Sequence, residues 1–194
     1  LYDIVIERQS AEESDKIIII CKEGKKMTDI WKATCMQTIN YVVNKAHSRE
    51  EAMTIINKSI DRWEELLKTL VASNGSMKQL YLFPEFNLQG FPLHENPDEW
   101  IEKACLNIPG SNEIERIQAM AQTYKIYIGA NAYESTDDWP GRYFNCSFLI
   151  DPSGEIILKY RRINTTEASS PHDILDQYIE KHGVDSLFPV ATTE

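Results

Sequence analysis

The chain opens with two short apolar runs, Ile4-Val5-Ile6 and Ile17-Ile18-Ile19-Ile20-Cys21, separated by a charged stretch over residues 12–16. Both have strand length, and the lysine- and glycine-containing segment 22–26 reads as a turn. Residues 30–37 predict a core strand. At Ser48 the period changes. Ala52, Ile55, Ile56, Ile60, Trp63, Leu66, Leu67 and Leu70 recur with a helical spacing, and Asn74-Gly75 supplies a left-handed stop. Ser48 with Glu51 three residues on predicts a capping box. A strand over 79–83 follows directly, so strand, long helix and strand predict a layered α/β sheet.

A second helix is expected from about Asn112, with Glu115 as the partner in another capping box and Ile114, Ile117, Met120, Ala121 and Tyr124 as its apolar stripe. Strands are expected over 126–131, 144–150 and 155–160. The last two flank Asp151-Pro152-Ser153-Gly154, whose proline and glycine positions suit a type I turn, which makes them a hairpin. A short helix over 174–182 precedes a final apolar run, Phe188-Pro189-Val190-Ala191. The Pro171-His172-Asp173 segment is expected to cap that helix, Asp173 being a standard N-cap choice, and the alternative is that His172 orients Asp173. The final run stops almost as it begins, and Leu1 is not a methionine, so the chain is expected to be one domain over 1–194, cut within its fold, with 1–29 as an N-terminal extension.

Composition narrows the function. A formal net charge of −10 over 194 residues disfavours nucleic acid, since phosphate binding needs clustered Lys and Arg, and it disfavours an anionic membrane. No apolar run is long enough to span a bilayer. The four cysteines, Cys21, Cys35, Cys105 and Cys146, form no Cys-x-x-Cys pair and have no histidine cluster beside them, so no metal site is expected. Cys35 and Cys146 lie in apolar runs and read as buried hydrophobes, which suits a reducing, cytoplasmic setting. His47, His94 and His182 stand isolated in sequence. The four tryptophans read as core or interface.

Two segments carry candidate chemistry. Leu80-Tyr81-Leu82-Phe83-Pro84-Glu85 brings one carboxylate to the end of an apolar strand, where lost solvation would suit it to act as a base. Lys159-Tyr160-Arg161-Arg162 brings cations to another strand end, where one could sit beside a developing oxyanion. Each segment has a plainer reading. Glu85 could cap a loop, and the basic strand end could form ordinary surface ion pairs.

Together, Phe83-Pro84-Glu85-Phe86 with Gly90, then Ile126-Tyr127-Ile128-Gly129-Ala130, the run from Asn145 to Ile157, and Lys159-Tyr160-Arg161 resemble the carbon–nitrogen hydrolase (nitrilase and aliphatic amidase) superfamily. The resemblance implies a four-layer αββα sandwich and hydrolysis of a non-peptide carbon–nitrogen bond in a small amide, nitrile or carbamoyl compound. It implies no cofactor and no metal, and it implies self-association as a homodimer or higher oligomer. By that resemblance Glu85 is the general base. Arg162 occupies the position of the family lysine, and arginine holds its charge without passing a proton. Lys159 lies three residues away on a strand and faces the other side. The family's nucleophilic cysteine lies past a segment like Phe188 to Glu194, and none of the four cysteines matches it. Glu167 is a candidate for the family's extra glutamate, and Asn131 and Tyr133 are candidates for a pocket lining. The alternatives are a catalytically silent scaffold that binds or assembles, or an unrelated thiol hydrolase using Cys105 or Cys146.

Overall fold

The computed structural model describes residues 3–7, 16–22, 31–74, 77–165 and 169–193. Seven strands form one sheet in chain order: β1 (Asp3–Glu7), β2 (Lys16–Lys22), β3 (Trp31–Met36), β4 (Lys78–Leu82), β5 (Tyr127–Ser135), β6 (Tyr143–Ile150) and β7 (Ile156–Arg161). The centre, β3–β4–β5, is parallel and the two flanks are antiparallel. The parallel pair β3–β4 is joined by α1 (Arg49–Ser73), as a parallel connection requires. Helices α2 (Pro97–Ala104) and α3 (Asn112–Tyr124) precede β5, and α4 (Leu175–His182) follows β7. The expected strands within 1–29 thus extend the sheet beyond β3.

Helix α1 buries the predicted stripe: Ala52, Ile56, Ile60, Trp63, Leu67 and Leu70 pack against α3 and the inner sheet face, with Ile55 and Leu66 at its margin. Across from them, Tyr81 of β4 and Ile128 of β5 close the same core. One α layer therefore covers one side of the sheet. The other side carries Leu80, Leu82, Leu149, Leu158 and Tyr160, all partly exposed.

Several local expectations change. Ser48 accepts the Glu51 N–H at 3.2 Å, but the Glu51 carboxylate accepts the His47 N–H at 2.8 Å, one residue earlier than a capping box places it. Helix α3 begins one residue sooner than expected. Ser111 is its N-cap, without a side-chain bond, so Asn112 and Glu115 form no box. The Asp173 carboxylate does not cap α4; it accepts the Ser170 N–H at 2.8 Å across a 3-10 turn, Pro171–Ile174. Cys146 is buried as expected, whereas Cys35 is exposed. Phe188 and Val190 are 73% and 92% exposed and belong to no strand. Of the turn expected over 22–26, Lys22 belongs to β2, and the rest, like Glu167, lies outside the described residues. In the β6–β7 hairpin the Asp151 carbonyl accepts the Gly154 N–H at 2.9 Å, and Gly154 takes φ +90°, which only glycine adopts freely.

Candidate active site

The end of β4 is pinned from several directions. Phe83 continues the ladder by donating its N–H to Gly129 at 2.8 Å, and its ring stacks on Trp63 with centroids 3.7 Å apart. Pro84 then ends the donor series, and Glu85 leaves the sheet plane. Phe86 adopts φ +64°, a left-handed conformation that a bulky residue takes only under constraint. Gly90 closes this turn by donating to the Phe86 carbonyl at 2.8 Å, and a Cβ there would fall 2.7 Å from Val42 Cγ1. The sequence Pro84-Glu85-Phe86 with Gly90 therefore encodes one tight turn that turns a carboxylate toward the exposed sheet face.

That carboxylate meets the cation from β7. Arg162 Nη1 lies 3.1 Å from Glu85 Oε1, and Asn145 Nδ2 donates to the same oxygen at 2.6 Å. Arg162 reaches this point because its N–H continues the ladder onto the Asn145 carbonyl at 2.8 Å. Behind Asn145 stand Asn131 and Ser147 on β5 and β6. These polar groups share a cleft of about 610 Å³ with Leu80, Leu82, Leu149, Leu158 and Tyr160. Asn131 lines it as expected; Tyr133 is buried beside it, between Phe86 and Trp100. Burial pushes the Tyr133 hydroxyl well above the ordinary tyrosine range, so it stays a neutral phenol.

One expectation about Glu85 fails. The side chains of Glu85 and Arg162 are 45% and 50% exposed, so the carboxylate is not desolvated by its strand. What holds it is hydrogen bonding. Among the described residues no cysteine lines the cleft. Burial also pushes the thiols of Cys105 and Cys146 up, and a protonated thiol is a poor nucleophile, which disfavours the unrelated thiol-hydrolase alternative.

The family model for carbon–nitrogen hydrolase matches residues 36–194. The chain belongs to the carbon–nitrogen hydrolase family. A formamidase from Bacillus cereus is 30% identical over 129 residues, covering 65% of this chain and 35% of its own length. The chain thus spans about a third of the length of the formamidases it matches. Among solved structures, a carbon–nitrogen hydrolase from Helicobacter pylori superposes with a TM-score of 0.51 at 20% identity, covering 70% of this chain and 40% of its own. An N-terminal amidase with a Gln-Gly peptide gives a TM-score of 0.55 at 18% identity, covering 71% and 30%. These superpositions carry the fold, which is the α/β fold of the nitrilase type. The described residues supply one α layer and one β layer of its four-layer αββα arrangement.

On the α-covered side, this family member carries a second polar cluster that sequence reasoning missed. Glu134 on β5 is buried and takes Arg161 Nε at 2.6 Å, Arg161 Nη2 at 3.1 Å and Lys159 Nζ at 2.8 Å. Burial opposes the Arg161 charge, but the bonds and charge of Glu134 outweigh it and raise Arg161 above its ordinary value. Lys159 thus faces away from Arg162, as the strand period predicts. A period-two reading of β7 carried the signal, since Lys159 and Arg161 share a face.

His182 at the end of α4 is not isolated. Its Nε2 lies 3.2 Å from Trp139 Nε1 and 3.3 Å from Arg161 Nη1, both donors, so Nε2 accepts and the ring is neutral with its proton on Nδ1. Burial, then the Arg161 charge, holds its pKa below the ordinary 6.5. The fold therefore favours the neutral ring. Its stabilising contribution is complete above about pH 6.5 and is lost as pH falls below the unfolded value toward the lowered one. Melting curves at pH 7.5 and 5.5 should show a smaller acid-induced drop for His182→Gln, which cannot titrate, than for the wild type. Equal drops would remove His182 from the account.

Proposed function

We propose that the Glu85–Arg162 cleft is the acid–base and cationic part of a site that hydrolyses a non-peptide carbon–nitrogen bond in a small amide, nitrile or carbamoyl compound. The 3.1 Å contact between a carboxylate and a cation, delivered by separate strands to one face, carries this reading. The formamidase relative supports a small amide as substrate. The nucleophile this reading requires is a cysteine on a strand after Phe188–Thr193. Its thiol proton passes to Glu85 as sulfur bonds to the substrate carbon. With an amide or carbamoyl compound Glu85 returns that proton to the leaving nitrogen, and with a nitrile it goes to the nitrogen of a thioimidate, which one water converts to the thioester with loss of ammonia. Water then cleaves the thioester, giving the acid and ammonia or an amine. Arg162 supplies charge opposite the developing oxyanion and transfers no proton.

Ammonia release from formamide, acetamide and propionamide by the intact gene product tests the assignment. Turnover should fall roughly 10²–10⁴-fold in Glu85→Gln. Unchanged turnover in that variant would remove Glu85 from the chemistry. A second reading is a catalytically silent scaffold that assembles through the partly exposed sheet face, and arginine in the lysine position favours it. No ammonia from the wild type or from Arg162→Lys, with a defined oligomer by light scattering, would decide for the scaffold.

A further inference from the structure

Glu85 is held by a chain of amides whose direction is fixed. The Phe86 N–H donates to Asn131 Oδ1 at 3.2 Å. Asn131 Nδ2 donates to Asn145 Oδ1 at 2.6 Å and to Ser147 Oγ at 3.2 Å. Asn145 Nδ2 donates to Glu85 Oε1 at 2.6 Å, and Arg162 Nη1 reaches the same oxygen at 3.1 Å. A carboxamide has one accepting end and one donating end, while a backbone N–H can only donate. Phe86 therefore dictates which end of Asn131 faces it. Asn131 then presents N–H groups to Asn145, which must answer with Oδ1 and so turns its own N–H groups toward Glu85. The chain begins at the peptide next to Glu85 and ends on the Glu85 carboxylate, so backbone and side chain of one turn are tied together through two neighbouring strands.

We infer that Asn131 and Asn145 are positioning residues that keep Glu85 Oε1 occupied by donors, so that the proton Glu85 takes during turnover is carried on Oε2. A proton on Oε1 would face two N–H groups with nothing to accept it. Among the described residues Oε2 receives no hydrogen bond, which leaves it able to take the proton. This rests on the assignment of Glu85 as the base. Two asparagines that merely satisfied each other inside a sheet would not need their polarity to point at Glu85.

Reversing that polarity tests the inference. Asn131→Asp keeps the acceptor for the Phe86 N–H but offers a second acceptor to Asn145. Asn145 must then turn its N–H groups back and set Oδ1 against Glu85. At pH 8 the crystal structure of this variant should show the Glu85 carboxylate out of contact with Arg162, and the Asn145 side-chain signals of the ¹⁵N-labelled protein should move. In the intact protein kcat should fall roughly 10²-fold with KM nearly constant, as for a misplaced catalytic group. Asn145→Ala should reproduce the loss if the first variant folds poorly. An unmoved Glu85 in both asparagine variants, or a loss confined to KM, overturns the inference. Glu85 displaced as expected, in a protein whose wild type hydrolyses no small amide, nitrile or carbamoyl compound, upholds the relay and overturns the hydrolase reading.

Discussion

Glu134→Ala is expected to destabilise the fold by about 3–5 kcal/mol, the usual cost of removing one member of a buried ion pair. The carboxylate is buried and accepts three N–H bonds from two cations. Without it, Arg161, whose side chain is 5% exposed, keeps the rings of Phe144 and Tyr178 and the His182 nitrogen as neighbours but loses its counter-ion. Ring contacts of this kind contribute only about 0.5–2 kcal/mol, so they cannot offset a stranded guanidinium. Lys159 is a third exposed and recovers water, so Arg161 carries most of the penalty. Urea unfolding of the two proteins measures this directly. A loss below about 1 kcal/mol would place the cluster among exposed ion pairs of small effect. The consequence reaches the cleft, because Arg161 anchors the residue directly before Arg162. Arg161 and Arg162 project to opposite faces, so the buried pair on one side fixes the height of the cation on the other.

The fold was readable where one local signal agreed with its surroundings. Helix α1 combined a serine cap with an unbroken apolar period, and both act within the helix itself, whereas the left-handed stop expected there is not taken by Asn74, a right-handed cap at φ −99°, and Gly75 lies outside the described residues. The β6–β7 hairpin was readable for the same reason, since Asp151 to Gly154 fix their own turn. Helix α2 was missed because eight residues bury only Trp100 and Ala104, too few to establish a period. Its start signal was nevertheless present: Asn96 caps it and Pro97 occupies the first turn. The box expected at Asn112 failed by one residue, which suffices to move a cap from the helix end into its first turn. Cys35 was misjudged because its strand alternates, and the side chain after buried Thr34 points outward.

The site was readable to the extent that period two alone determines it. Arg162 and Lys159 fall on opposite faces of one strand, and the structure keeps them there. The exposure of Glu85 was not readable, because it depends on what lies over the sheet and not on the apolar run leading up to it. Asn131 was readable only as a pocket-lining candidate, and Asn145 not at all. Their roles require β5 and β6 to pair with Asn131 opposite Ser147 and Tyr133 opposite Asn145, a long-range register that no local spacing encodes.

The second large effect should come from Trp63→Ala, with a loss of about 3–5 kcal/mol for emptying a fully buried aromatic site. Trp63 is wholly buried, stacks on Phe83 and donates Nε1–H to Asn87 Oδ1 at 2.7 Å. Phe83 and Asn87 flank Pro84-Glu85-Phe86, so one indole on α1 grips both ends of the turn that carries the carboxylate. Asn87 Oδ1 keeps a bond from Thr38 Oγ1 at 2.8 Å, which lessens the polar part of the loss. Trp63→Phe retains most of the stacking partner and gives up the N–H, so it should lose less stability than the alanine variant yet still loosen Asn87. Comparing urea midpoints with the Glu85–Arg162 distance in crystals of the phenylalanine variant separates the two roles. If the distance stays at its wild-type value, the turn is held by Gly90 and the asparagine amides alone, and Trp63 belongs to the core without belonging to the site.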